Sequence, residues 1–240
     1  MDFSIITGNI GIYLEGLKNT LILVSISLVF GLVMAIPLAV LRTSGNPLVH
    51  LPIRAFVYFF RGTPLLVQMF LVYYGFGQFE IMRESVLWPL FKEAYFCALF
   101  TFALNTCAYT TEIIRGAMVA TPHGEIEAAR AAGMSTLLML RRIVLPSAFR
   151  RALPAYSNEI IFMLHGSSLA SVITIIDITG AARIVNSRYY SPWEAFLTAA
   201  VFYMAITFTI VFLVRKLEKR WHGHLMPLEQ SITKIEAPSL

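Results

Sequence analysis

Charged residues are scarce in this sequence, and their scarcity argues against a soluble globular protein. Asp, Glu, Lys and Arg make up 14% of the 240 residues, whereas hydrophobic residues make up 57%. A soluble globular protein has about 25% charged and about 45–50% apolar residues. The excess of apolar residues lies in long blocks, which is typical of membrane-spanning segments.

Residue patterns suited to catalysis or metal binding are also missing. The two cysteines, Cys97 and Cys107, are ten positions apart, a spacing that suits neither a metal site nor a redox pair. No G-x-S-x-G, H-E-x-x-H or P-loop pattern occurs. Four histidines lack ligand partners at suitable spacing and are predicted to be solvated: His50, His123, His222 and His224. We therefore expect no enzyme, no metal site and no cofactor in this chain.

Five apolar blocks have the length of a membrane span. They predict transmembrane helices over about residues 20–41, 55–79, 94–114, 152–176 and 194–214. A hydrocarbon core of about 30 Å needs roughly 20 helical residues, and lipid offers no partner for an unpaired backbone group. The sequence therefore predicts an all-α integral membrane protein with five transmembrane helices. Its transmembrane domain is expected over residues 1–222, followed by a cytoplasmic tail over 223–240.

Lys and Arg are distributed unevenly among the segments that join these spans. If the N-terminus lies outside, the inner segments hold 13 of these residues and the outer segments hold 5. An excess of basic residues marks the cytoplasmic side. We therefore predict a membrane protein with its N-terminus outside and its C-terminus in the cytoplasm. The net charge of +5 follows from this topology and gives no support for nucleic-acid binding.

A polar stretch over residues 121–146 interrupts the apolar chain on the predicted cytoplasmic side. Thr121 and Pro122 predict a helix start, with a hydroxyl N-cap and a proline at the first helical position. Gly133 predicts a left-handed helix end, and a second helix is expected to follow and to end at Pro146. On these features alone, the stretch can equally be a solvated helical loop without a partner.

The same stretch resembles the EAA loop of the membrane subunits of bacterial binding-protein-dependent ABC importers. The loop pattern, E-A-A-x3-G-x9-I-x-L-P, is matched by Glu127, Ala128, Ala129, Gly133, Ile143, Leu145 and Pro146. The resemblance implies the fold of a type I ABC importer permease, in which this loop couples to an ATPase subunit. Gly124 and Glu125, just ahead of the triplet, are assigned to the same contact. It also implies that ATP and Mg²⁺ bind to a separate ABC subunit that is present as a dimer.

Four further stretches are similar to the polar amino-acid branch of this family. They are residues 60–68 (FRGTPLLVQ), 104–112 (LNTCAYTTE), 122–125 (PHGE) and 153–159 (LPAYSNE). The resemblance implies a permease subunit of the bacterial inner membrane for polar, and more specifically basic, amino acids or arginine-derived opines. Histidine, arginine, lysine, ornithine, octopine and nopaline all stay open as substrates. The implied partners are a second, related permease subunit and a periplasmic substrate-binding protein, with membrane lipid around the spans.

Polar side chains inside the predicted fourth span are candidates for the transport path. An ionisable group at membrane depth costs about 2.5–3.5 kcal/mol on insertion scales, so it indicates function. Helical spacing puts Asn158, Phe162 and His165 on one face and Glu159 on the neighbouring face. We expect Glu159 to face the positive group of a substrate, and Thr63 to line the path from the second span. An interhelical hydrogen bond or ion pair is the alternative role for Glu159.

Two other charged sites are expected to be structural. Arg61 lies early in the second span and is expected to reach the membrane surface or to pair with Glu159. Binding of a substrate carboxylate is the alternative role of Arg61. The glycine and proline that follow Arg61 are expected to interrupt this helix and to leave backbone groups facing the transport path. Glu112 and Arg115 are three residues apart, which suits a local ion pair.

An ion-coupled carrier and an intramembrane hydrolase are the two alternatives to an ABC importer. An ion-coupled carrier without an ATPase predicts internal repeats and several carboxylates at membrane depth, and the sequence shows neither. An intramembrane hydrolase would need Ser157, Ser167 or Ser168 to act with His165, but these residues follow one another on a single helix. Co-purification of an ATPase with the chain separates the importer from both alternatives.

Overall fold

The computed structural model describes residues 4–222, and every regular element in this range is helical. The long helices are α1 (Ser4–Arg42), α2 (Pro47–Gly62), α6 (Ala94–Val119), α9 (Leu145–Gly166) and α11 (Pro192–His222). The shorter ones are α3 (Leu65–Phe70), α4 (Glu80–Arg83), α5 (Trp88–Phe91), α7 (His123–Ala131), α8 (Thr136–Met139) and α10 (Ile178–Tyr189). The all-α fold is therefore confirmed, and the predicted tail over 223–240 lies outside the described residues.

The helices differ in their ability to cross a membrane. Among residues 4–222, α1 and α11 are each long and apolar enough to cross alone. Two more crossings result if each bent pair counts as one: α2 with residues 65–78, bent by 106°, and residues 136–173 with α10, bent by 46°. The predicted third span corresponds to α6, whose 26 residues are long enough but include buried Asn and Thr side chains. The number of five spans stays a prediction.

The first helix is longer than its predicted span. The span predicted over residues 20–41 is the carboxyl-terminal part of α1, which has 39 residues and begins at Ser4. Glu15 and Lys18 lie on the exposed surface of the helix and do not interrupt it. The difference arises because a charge-free run marks the part of a helix that can face lipid, not the whole helix.

The second predicted span, residues 55–79, is divided into two segments. α2 ends at Gly62, Thr63 and Pro64 are extended, and α3 starts at Leu65 and continues through a π turn and a 3-10 turn to Gln78. Proline disfavours helix in the residue before it and cannot donate a backbone hydrogen bond. The interruption predicted after Arg61 is therefore confirmed.

The predicted end of the second loop helix at Pro146 is wrong. This helix starts after Ser135, whose hydroxyl accepts a hydrogen bond from the Leu138 backbone nitrogen at 3.4 Å. A π turn over Leu140–Val144 then leads directly into α9, with Pro146 in its first turn. The π turn just before Pro146 lets the helix continue past a residue that has no N–H to donate.

α6 is the central helix and packs against α1, α2, α3 and α9. Gly31 of α1 allows a close approach to α6, because a Cβ atom there would clash with the Thr106 side chain and lie 3.1 Å from the Cys107 nitrogen. Cys97 and Cys107 are both free and buried. The two cysteines therefore pack in the core, as the sequence predicts.

Buried polar contacts fix the link between α9 and α10. Asp177 is fully buried and accepts hydrogen bonds from the Gly180 nitrogen at 2.7 Å and from the Tyr203 hydroxyl at 3.0 Å. The hydroxyl of Thr20 accepts a hydrogen bond from the Ile178 nitrogen at 3.2 Å. These contacts join α1, α10 and α11 at one point.

Candidate functional site

The first helix of the EAA loop (residues 121–146) ends in a Schellman motif. Gly133 has a φ of +75°, a left-handed conformation that glycine adopts without a steric penalty. Its N–H donates to the Arg130 carbonyl at 2.9 Å, and the N–H of Met134 donates to the Ala129 carbonyl at 3.1 Å. The predicted left-handed helix end is confirmed, and it directs the chain from α7 into α8.

The start of α7 differs from the prediction. Pro122, not Thr121, holds the N-cap position, with extended backbone angles of −57° and 134°. The Thr121 hydroxyl instead accepts a hydrogen bond from Arg151 Nη2 at 2.7 Å, while Arg151 Nε donates to the Ala117 carbonyl at 3.3 Å. The hydroxyl expected to cap α7 therefore connects the loop to α9.

The residues assigned to ATPase coupling fall into two sets. Six of them are exposed: Gly124, Glu125, Glu127, Ala128, Gly133 and Pro146. By contrast, Ala129 is buried, and Ile143 and Leu145 pack on the core that α1, α6 and α9 form with the loop. Leu137 of α8 adds an exposed apolar side chain. The loop thus has anchors toward the core and an outer surface available for contact.

A cluster of three charges joins α1 to α6. Arg115 Nη2 lies 2.6 Å from Glu112 Oε1, so the predicted local ion pair is confirmed. Arg42 Nη2 from the end of α1 lies 3.1 Å from the other carboxylate oxygen of Glu112. The second pair was not predicted, because its partners are far apart in the sequence.

A cavity of about 580 Å³ opens beside the break between α2 and α3. Its lining comes from the break, α3, α6 and α9: Arg61, Gly62, Thr63, Pro64, Leu65, Asn105, Tyr109, Glu159, Phe162 and Met163. Cavities of about 300–1,000 Å³ are typical of small-molecule sites. The break therefore lies at a space large enough for a small polar solute.

Glu159 supplies the carboxylate of this cavity. It is 4% exposed and shares the lining of the cavity with Arg61. The Arg61 guanidinium lies over the Tyr109 ring, 5.2 Å from the ring centroid. Glu112 forms ion pairs within 4 Å with Arg42 and Arg115. By contrast, no ion pair at that distance joins Glu159 to Arg61 in the described residues.

The five residues predicted for the transport path are only partly brought together. Three of them line the cavity: Thr63, Glu159 and Phe162. Asn158 is exposed and lies outside this lining, and His165 is within hydrogen-bond distance of the Thr207 hydroxyl of α11, at 3.3 Å. The cavity is thus lined by Glu159 and, from the neighbouring face of α9, by Phe162 but not by Asn158 or His165.

Sequence reasoning missed the contribution of α6 to the cavity. Asn105 and Tyr109 both line it, and Arg61 packs on Tyr109. A signal was present, because Asn105, Tyr109 and Glu112 follow one another at i, i+4 and i+7 and therefore share one helix face. A polar face on an otherwise apolar helix of this length indicates a surface that does not contact lipid.

Known proteins resemble this chain over nearly its whole length. Residues 27–223 match the family described as binding-protein-dependent transport system inner membrane component. The chain is 47% identical to the nopaline transport system permease protein NocM of Agrobacterium fabrum, over 94% of this chain and 94% of that protein. It is also 47% identical to the histidine/lysine/arginine/ornithine transport system permease protein HisM of Escherichia coli K12, over 90% of this chain and 92% of that protein.

Solved structures extend this similarity from the sequence to the fold. A chain from a structure described as the crystal structure of an amino acid ABC transporter with histidines is 32% identical and superimposes with a TM-score of 0.82. The superposition covers 92% of this chain and 99% of that chain. The similarity therefore includes the arrangement of the helices and is not confined to the EAA loop.

Proposed function

The chain belongs to the family of binding-protein-dependent transport system inner membrane components, and we propose that this ABC importer permease carries basic amino acids or arginine-derived opines. Similar permeases are named for nopaline and for histidine, lysine, arginine and ornithine. These compounds combine a carboxylate with nitrogen-rich groups that are cationic or become cationic on protonation. The proposed substrate class is the one that the sequence motifs imply.

The observation that carries the proposal is a carboxylate and a guanidinium in the same cavity. Glu159 on α9 provides the negative charge, and Arg61 on α2 provides the positive charge. A basic amino acid has a cationic side chain and a carboxylate, so the cavity offers a group of opposite charge to each. A buried carboxylate without a close cation is costly, and a substrate cation reduces that cost while it is bound.

The energy for import comes, in this proposal, from a separate ATP-binding subunit. The sequence lacks a P-loop, so ATP and Mg²⁺ bind to that subunit, which is present as a dimer. The exposed residues of the EAA loop form the contact surface, because Gly124, which has no side chain, and Ala128, which has only a methyl group, allow close approach. Leu137 supplies an apolar group at the same surface.

A second permease subunit accounts for the exposed polar face of α9. Asn158, Phe162 and His165 are all exposed on this face. Polar side chains at membrane depth rarely face lipid, so this face is better placed against another subunit or a water-filled path. A periplasmic binding protein delivers the substrate from the outside, where the N-terminus also lies according to the distribution of basic residues.

Uptake measurements with a matched pair of variants test the proposed substrate class. A strain lacking this gene is complemented with the wild-type chain, with Glu159→Gln or with Glu84→Gln, whose carboxylate is exposed in the loop region between α4 and α5. Labelled arginine, lysine, ornithine, histidine, octopine and nopaline are supplied in turn. We expect Glu159→Gln to reduce cation uptake roughly tenfold or more, as for the loss of a charged partner. Glu84→Gln is expected to match the wild type.

Each alternative has its own result in this experiment. Normal uptake by Glu159→Gln would show that the carboxylate does not contact the substrate. A variant that no longer assembles with the ATPase subunit would show that Glu159 has a structural role. Absence of uptake of every compound by the wild type would refute the substrate class itself.

A further inference from the structure

Pro64 leaves one backbone carbonyl at the end of α2 without its helical partner. In a continuous helix, the Phe60 carbonyl would accept a hydrogen bond from the nitrogen of residue 64, and proline has no N–H to donate. The carbonyl of Thr63 is also released, because Thr63 has an extended backbone. An unsatisfied backbone group at membrane depth costs several kcal/mol, so both carbonyls need other donors.

A buried glutamine supplies these donors. Gln68 is 3% exposed, and its Nε2 donates to the Phe60 carbonyl at 2.8 Å and to the Thr63 carbonyl at 3.0 Å. The same nitrogen lies 2.8 Å from the Thr63 hydroxyl oxygen, whose proton is donated to the Phe59 carbonyl at 2.7 Å. Carbonyl oxygens only accept hydrogen bonds, so the Gln68 amide must present its nitrogen to them. Its oxygen therefore points elsewhere.

The orientation of Gln68 determines the orientation of Asn105 on α6. The Gln68 oxygen accepts a hydrogen bond from Asn105 Nδ2 at 3.0 Å, and the same nitrogen lies 3.4 Å from the Phe60 carbonyl. Both acceptors require the nitrogen of Asn105, so its amide cannot be reversed without losing both contacts. The oxygen of Asn105 is therefore turned away from Gln68.

The free end of the Asn105 amide borders the cavity. Asn105 is 7% exposed and lines the cavity together with Glu159. No hydrogen-bond donor from residues 4–222 reaches its oxygen. The cavity thus has two acceptor side chains on different helices, a carboxylate from α9 and an amide oxygen from α6. Two acceptors suit a group with several N–H donors, such as a guanidinium or an ammonium.

We infer that Asn105 contacts the cationic group of the substrate, and that Gln68 is a positioning residue that holds the Asn105 oxygen toward the cavity. This inference rests on the proposed function and names a second contact for the same substrate class. The Gln68 nitrogen donates to the carbonyls released at the break, and this contact turns the Gln68 oxygen toward Asn105 and so sets the direction of the Asn105 amide. Gln68 therefore links the broken helix to substrate recognition.

The test measures selectivity between two ligands of nearly equal shape. L-Arginine has a charged guanidinium, and L-citrulline has a neutral ureido group in its place. Binding of each labelled compound is measured on the detergent-purified complex of the chain with its partner subunits, without the binding protein. The readout is the ratio of the citrulline Kd to the arginine Kd. A residue that only stabilises the fold would not change this ratio.

Two substitutions of Asn105 distinguish the role of its amide nitrogen from that of its amide oxygen. Asn105→Leu removes both the donor and the acceptor, and we expect the ratio to fall on the order of fivefold, since hydrogen bonds to charged groups exceed neutral ones. Asn105→Asp loses the donor toward Gln68 but keeps an acceptor toward the cavity, so the ratio is expected to stay or to rise. If Asn105→Asp is as damaging as Asn105→Leu, the side chain is structural and the inference fails.

Gln68→Met tests the positioning role. It removes the donors and the acceptor while keeping a similar length, and we expect the ratio to fall as in Asn105→Leu. In the Asn105→Leu background it is expected to cause no further fall. Asn9→Leu, a buried asparagine that bonds to the Ile5 carbonyl within α1, and Gln78→Met, an exposed glutamine, are the controls.

The outcomes distinguish this inference from the proposed function. If the wild-type complex does not prefer arginine to citrulline, the proposed substrate class is refuted. If it does, and Asn105→Leu and Gln68→Met leave the ratio unchanged, only this inference is refuted. If Gln68→Met yields no folded complex, the two Asn105 variants still decide whether the amide oxygen contacts the cation.

Discussion

Substitution of Gly133 is the sharpest test of whether the shape of the EAA loop determines its coupling to ATP hydrolysis. The residue has a φ of +75°, and no atom lies within 4 Å of the position that a Cβ atom would take. A Cβ atom there meets no neighbour within the chain, so its cost to the shape of the loop comes from the backbone conformation. For an L-residue this cost is about 1–2 kcal/mol, which lowers the equilibrium constant of the native loop shape roughly 5–30-fold.

Four variants of Gly133 separate the cost of the left-handed backbone from the effect of an added charge. Gly133→Asn is expected to be close to the wild type, because asparagine tolerates the left-handed region. Gly133→Ala is expected to be intermediate and Gly133→Val the most impaired. Gly133→Asp has a backbone tolerance similar to that of asparagine, so any further loss in this variant reports the added charge at the surface proposed to contact the ATPase.

The assay is substrate-dependent ATP hydrolysis and uptake by the purified complex in proteoliposomes. Gly45→Val is the control, because Gly45 lies in an open loop without a left-handed backbone. We expect substrate affinity to be unchanged across the series while coupled hydrolysis falls in the order Asn, Ala, Val. Full coupling by a stably expressed Gly133→Val variant would refute the reasoning.

Three further predictions concern topology and packing. Reporter fusions are expected to indicate the cytoplasm after Arg42, after Arg142 and near Lys219, and the outside near Arg83 and Arg188. An inside signal at the outer positions contradicts the five-span topology. Gly31→Val is expected to destabilise the purified complex by about 1–3 kcal/mol through overpacking against α6, which lowers its Tm. The control, Gly116→Ala, places its methyl group in open space and is expected to leave the Tm unchanged. Arg151→Lys keeps the charge but cannot bond Thr121 and Ala117 together, so ATPase coupling is expected to fall with unchanged arginine affinity; an unchanged coupling ratio would contradict this.

Features that depend on neighbouring residues in the sequence were predictable. The helix end at Gly133, the interruption before Pro64 and the pair of Glu112 with Arg115 each involve residues within a few positions of one another. Their physical causes are a missing Cβ, a missing N–H and the spacing of one helical turn. The structure shows all three.

Features that depend on contacts between distant segments were not predictable in the same way. Thr121 satisfies every local requirement for an N-cap, yet its hydroxyl bonds to Arg151 on another helix. No role was predicted for Asn105. Its orientation depends on its hydrogen bond to Gln68, which donates to the Phe60 carbonyl released by the break at Pro64. A single sequence gives the chemistry of each side chain, but it does not show which faces of α2, α6 and α9 surround a common space.

The anchor at Asp177 has a mechanical consequence for any transporter that alternates between two states. The carboxylate connects the start of α10 to Tyr203 of α11, and Thr20 connects the same turn to α1. We therefore expect α1, α10 and α11 to move together as one rigid body. Spin labels on the amino-terminal half of α1 and on α10 should keep a constant separation through a cycle of ATP hydrolysis. We expect rearrangement at the other end of α9, where a hydrogen bond from Arg151 to Thr121 connects the start of the EAA loop to this helix.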